Sequence, residues 1–202
     1  MASKTEICNL AISHLGVGSR IANVETERSA EAAICRTFFE ITRDITLRDF
    51  DWIFSRKTVT LGLIESDPND EWGYSYRYPS DCINARRIPS GIRNDNRQSR
   101  IPYEIAQDDD GQLIYTDKAE AQLVYTKKET NTERYPADFV MMQSLLLAAY
   151  IAPAVTGADP FKLGDRALKL YTYHKSVAEA ASGNEGQAEE PPEAESIRAR
   201  ET

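Results

Sequence analysis

The apolar residues of this 202-residue chain change their spacing twice, and that limits the folds open to it. From Ile7 to Ile45 they recur at three or four residues, the period of a helix face. From Phe50 through Trp52 and Phe54 they recur at every second residue, and strand-like alternation continues in segments to Tyr125. Helical spacing returns at Phe139 and runs to Val177. A chain patterned this way predicts an α+β fold, mainly helical. The N- and C-terminal helices are expected to form a bundle, with a small antiparallel β domain inserted between them. Residues 1–54 hold the first helices, 55–130 the β-rich insertion, 131–181 the last helices, and 182–202 an extended tail.

Ser3 followed by Glu6 has the spacing of a capping box, and Ile7, Leu10, Ala11 and Leu15 form a face that Gly16 is placed to end. Ala30, Ile34, Phe38, Ile41 and Ile45 form one stripe of a second helix ending near Asp49, with Arg36, Glu40, Arg43 and Asp44 mostly opposite. Pro136 suits a first helical turn, and Phe139–Ile151 is apolar nearly all round, which predicts burial on several sides, in a bundle or between subunits. Asp159-Pro160 opens the last helix, with Phe161, Leu163, Leu168, Tyr171 and Val177 expected inside. The run Phe139–Val155 contains Gln143, Ser144 and Pro153, and reads as too short and interrupted to span a bilayer. The polar start, MASKTEICN, reads as a helix beginning rather than a leader.

In the β region, Val59, Leu61 and Leu63 alternate with polar residues, and Ile83–Ile88 is a further short strand. Tyr103 and Ile105 are expected opposite Leu113 and Tyr115 across the turn at Asp110-Gly111, and Ala119–Tyr125 closes the set. The stretch EWGYSYRYPSDC places Trp72, Tyr74, Tyr76 and Tyr78 at every second position, which aims all four rings at one face. Three readings stand: the core face of a sheet, a surface for another subunit or partner, and a stacking platform for a base or sugar.

The formal net charge of −8 gives no global attraction to DNA or to an anionic membrane, and lets such a chain surround DNA without holding it. One stretch runs against that charge: Arg86, Arg87, Arg93, Arg97 and Arg100 fall close together. This is a solvated loop, an electropositive arm for an acidic partner, or a phosphate-binding loop, although it lacks interleaved aromatics for stacking. Asp108, Asp109 and Asp110 are consecutive rather than alternate, so they read as a hairpin tip and not a calcium loop. Cys8, Cys35 and Cys82 are widely spaced with no C-x-x-C, which predicts neither zinc nor a disulfide framework but small buried hydrophobes in a reducing compartment. His14 and His174 adjoin no nucleophile motif, and no P-loop, G-x-S-x-G or H-E-x-x-H occurs, so no enzymatic activity, cofactor or metal is expected. The final stretch, SGNEGQAEEPPEAESIRARET, carries Ile197 as its one large aliphatic and cannot bury enough to fold alone.

The series ICNLAISHLG, RDFDWIFSRKTVTL, WGYSYRYPSDC and YPADFVMMQSLLLAAYIAP resembles the head-to-tail adaptor proteins of short-tailed bacteriophages, also called tail tubular protein A or gatekeeper proteins. The resemblance runs from Thr5 to about Ala181 and is sharpest at Trp52-Ile53-Phe54 and Pro79-Ser80-Asp81-Cys82. It implies a structural protein of the virion neck, assembled from host cytoplasm. Twelve copies would form a ring below the portal, carry the tail nozzle, and pass DNA without binding it specifically. It also implies a helical bundle with a β-rich insertion and a C-terminal segment that docks on the portal. Subunit or partner contacts are then expected at Trp72, Tyr74, Tyr76, Tyr78, Arg86, Arg87, Arg93, Arg97, Arg100, Ile197, Arg198 and Arg200. The alternative class is a nucleic-acid or partner-binding module acting through residues 86–100.

Overall fold

A computed structural model describes residues 2–92, 100–157 and 159–185, with side chains through residue 180. Four helices and two antiparallel sheets make the fold α+β. The first helix, α1 (Lys4–His14), begins as the sequence predicts. The Ser3 hydroxyl accepts from the Glu6 amide, and the Glu6 carboxylate accepts from the Ser3 amide at 2.6 Å. It ends in a Schellman arrangement: the Gly16 amide donates to Ser13 and the Val17 amide to Ile12, with Gly16 at φ 71°.

Helix α2 (Ala30–Asp49) ends where predicted, and Ile34, Phe38 and Ile45 of the predicted stripe are partly buried against the core, but its fully buried face is turned from that stripe. Ala32, Cys35, Phe39, Thr42, Arg43, Thr46 and Leu47 are buried, whereas Ala30 is exposed and Ile41 is 49% exposed. Two threonines enter the core because each hydroxyl finds an acceptor on its own helix: Thr42 on Phe38 and Phe39, Thr46 on Thr42. Helix α3 (Ala137–Val155) packs against α1, α2 and α4 (Pro160–Glu185). Contrary to the reading of that run as too short and interrupted, α3 is long and apolar enough to cross a membrane. Here most of that apolar surface is buried within the molecule.

The inner face of α4 follows the prediction in part: Tyr171 is buried and Leu163 packs against the core, but Phe161 is 77%, Leu168 46% and Val177 47% exposed, and small residues take their places. Ala167, Tyr171 and Ala178 are buried, and a Cβ at Gly164 would lie 3.4 Å from the Ala149 carbonyl oxygen and 3.6 Å from the Ala152 Cβ. Small side chains around Gly164 let α3 and α4 approach closely there.

Among the described residues between α2 and α3 are seven strands: β1 (Arg56–Thr60), β2 (Leu63–Ser66), β3 (Tyr74–Arg77), β4 (Cys82–Arg87), β5 (Glu104–Asp108), β6 (Gly111–Thr116) and β7 (Gln122–Lys127). One sheet has the order β1-β7-β4 and the other β2-β3-β6-β5. The predicted Val59–Leu63 alternation therefore spans two strands that belong to different sheets. The β5–β6 hairpin pairs Ile105 with Ile114 and Asp108 with Gly111, so its turn is Asp109-Asp110, one residue before the expected centre. A second core joins the sheets: Ala85, Leu123 and Tyr125 from one, Tyr76 and Ile114 from the other, and Leu61 from the β1–β2 link.

Candidate functional site

Helix α2 ends at Phe50 in extended conformation, without the glycine that caps α1. Its last carbonyls therefore need donors from elsewhere. Strand β4 supplies them. Arg86 Nη2 lies 2.7 Å from the carbonyl oxygen of Phe50, 3.1 Å from that of Arg48 and 3.3 Å from that of Leu47, three acceptors that share its two protons, and Nε donates to Thr126 Oγ1 at 2.8 Å. A planar cation with several donors suits a helix end that concentrates negative partial charge. Burial works against its charge, and Asp51 at 3.9 Å works for it. Other groups gather around the same end. Trp52 Nε1 donates to Thr46 O at 2.8 Å, Tyr171 Oη donates to Asp49 at 2.7 Å, and Lys175 lies 3.6 Å from the same carboxylate. One locus thus ties α2 to the three-stranded sheet and to α4.

Arg86 thus departs from all three readings of 86–100, solvated loop, electropositive arm and phosphate-binding loop: its guanidinium is committed within the chain. Arg87 and Arg100 are exposed, whereas Arg93 and Arg97 lie outside the described residues, as do Ile197, Arg198 and Arg200. The expected extended tail of 182–202 also falls largely outside the described residues, although its first residues, to Glu185, continue α4.

The aromatic row divides. Tyr76 is 1% exposed in the inter-sheet core, with Tyr74 and Tyr78 half-buried against it. The Tyr76 hydroxyl donates to Lys118 O at 2.8 Å and accepts from the Ala121 amide at 3.4 Å, so it is spent within the subunit rather than at its edge. Burial pushes the Tyr78 phenol well above its ordinary range, with Cys82 adding to the effect. Trp72 precedes the strand, and its Nε1 donates to Glu104 on β5 at 3.1 Å. The hairpin acidic tip is latched to β3: Arg77 binds Asp108 through two contacts of 2.9 and 3.1 Å, which holds that carboxyl below its usual range.

Among the described residues, no group of three or more His, Cys, Asp or Glu is placed to hold a metal ion. The large apolar side chains left in solvent lie on both halves of the molecule: Ile53 at 59% and Leu63 at 55% beside the sheets, and Phe161 at 77% and Tyr173 at 63% on α4. Sequence reasoning missed the α4 pair because it placed Phe161 inside and left Tyr173 unassigned. The Arg86 junction had one readable signal, a long helix ending without glycine, but the identity of the distant donor did not follow from it. No family model matches the chain, and no curated protein matches it significantly.

Proposed function

We propose that the chain is a structural virion protein, a head-to-tail adaptor whose copies close into a ring between portal and tail nozzle. The reading starts from the resemblance of its sequence to adaptors of short-tailed phages. The observation that carries it is the junction at Arg86, where a sheet side chain closes the end of α2. On this reading the four helices are one bundle, the two sheets are its insertion, and the junction fixes the angle between them. A ring built from one kind of subunit needs two different faces held at a constant angle, because a drifting angle gives open filaments instead of closure. Exposed apolar residues on both halves supply material for such faces: Leu63 and Ile53 on one side, Phe161 and Tyr173 on the other. The net charge of −8 suits a channel wall along which DNA slides.

The C-terminal stretch 182–202 is the portal-docking element of this reading. Its composition, with Ile197 as the one large aliphatic, suits a segment that gains its apolar contacts from a partner. The test is deletion of residues 182–202, followed by co-sedimentation with portal rings. Loss of co-sedimentation is expected, and undiminished co-sedimentation removes the docking role.

A further inference from the structure

His14 on α1 and Arg166 on α4 line a cleft of about 270 Å³, and the charge of His174, also on α4, is felt at His14. Ser13, His14, Gly16, Leu163, Arg166 and Leu170 are among its walls. Ser144 Oγ on α3 lies 2.8 Å from Met141 O and 3.2 Å from His14 Nε2. While its hydroxyl donates to Met141 O, its oxygen accepts from a protonated Nε2, and Nδ1 is then the basic nitrogen, with no hydrogen-bond partner among the described residues. The charged and titratable groups that act on His14 are His174 and Arg166, both on α4, and no carboxylate among the described residues is one of them. Arg166 is exposed and has no acidic partner among the described residues. In a chain of net charge −8, this is a concave place whose walls hold one cation, Arg166, and one titratable base, His14, with no carboxylate among the described lining residues.

We propose that this cleft is an oxyanion site, in which Arg166 and the Nδ1–H of protonated His14 hold a phosphate or carboxylate group. Arg166 supplies a standing charge and a planar set of donors. His14 supplies a second donor only when protonated, so binding takes up a proton and strengthens as pH falls. Burial, His174 and Arg166 all depress the His14 pKa. A bound anion reverses the sign of the local field and raises it.

The experiment is an NMR titration of the full-length chain, in which two histidines give two sets of ring signals. His174→Gln assigns them. The His14 midpoint is measured in chloride, inorganic phosphate and acetate at matched ionic strength. A rise of about one pH unit over chloride is expected for an anion this close. A rise in phosphate alone assigns a phosphoryl ligand, and a rise in acetate alone a carboxylate. Arg166→Gln should abolish the rise while leaving the chloride midpoint no lower than before. Identical midpoints in all three salts overturn the proposal, and so does a rise that survives Arg166→Gln. Neither result bears on ring assembly.

Discussion

Replacing Arg86 with alanine separates a structural clamp from a surface cation. Its side chain is 19% exposed and contacts four acceptors, one through Nε and three that share the protons of Nη2. The contacts to Phe50 and Thr126, at 2.7 and 2.8 Å, are short and charge-assisted. Net contributions of about 1.5–3 kcal/mol are usual for such bonds. Those to Leu47 and Arg48, at 3.3 and 3.1 Å, are longer, and water replaces part of them when the side chain is removed. A cation at a helix C-terminus adds roughly 0.3–1 kcal/mol. Allowing for resolvation of the freed carbonyls, Arg86→Ala should destabilise the protein by about 2–4 kcal/mol. In urea, with a slope of about 2 kcal/mol/M, the midpoint falls by roughly 1–2 M. Arg86→Lys should recover less than half of the loss, because an ammonium cannot reach three carbonyls and Thr126 together. A change below about 0.5 kcal/mol for the alanine variant is surface behaviour. It would refute the clamp and return Arg86 to the pool of partner-binding cations.

Three further outcomes follow from the packing and from His14. Tyr76→Phe should cost about 0.5–1.5 kcal/mol through its lost bonds to Lys118 and Ala121, and Tyr76→Ala about 3–5 kcal/mol through the cavity it leaves, both read by urea unfolding. Gly164→Ala should be neutral to stabilising by up to about 1 kcal/mol, since its Cβ meets the Ala149 oxygen at an ordinary 3.4 Å, whereas Gly164→Leu should lose about 1–3 kcal/mol by overpacking. Folding lowers the His14 pKa from 6.5, so its neutral form is the one the fold favours. That contribution is complete above pH 6.5 and is lost as pH falls from there through the folded value, so the urea midpoint should drop across this window, and drop less in His14→Gln.

Features that depend on neighbours in sequence were legible. The capping box at Ser3 and Glu6, the stop at Gly16 and the boundaries of α2 follow from local chemistry. The buried face of α2 did not, because hydropathy treats Thr42 and Thr46 as outer residues, while their bonds to their own helix make them inner ones. The face of α4 was hidden for a different reason. A helix can bury glycine and alanine when its neighbour also offers small residues, and only the pairing of Gly164 with Ala149 and Ala152 reveals that choice. Alternation placed Tyr74, Tyr76 and Tyr78 on a packed face correctly, yet strand ends are set by pairing, and Trp72 falls before β3 begins. Arg86 belongs to a basic cluster in sequence and to a helix end in space; residues 47–50 and 86 meet only through the fold.

The central claim is that this chain is a ring-forming adaptor, and electron microscopy of the protein mixed with portal rings tests it most directly. The account predicts closed rings of the adaptor seated on the narrow end of the portal, extending its channel. Portals that remain bare beside a monomeric adaptor, with both proteins folded and in excess of micromolar concentration, would contradict it.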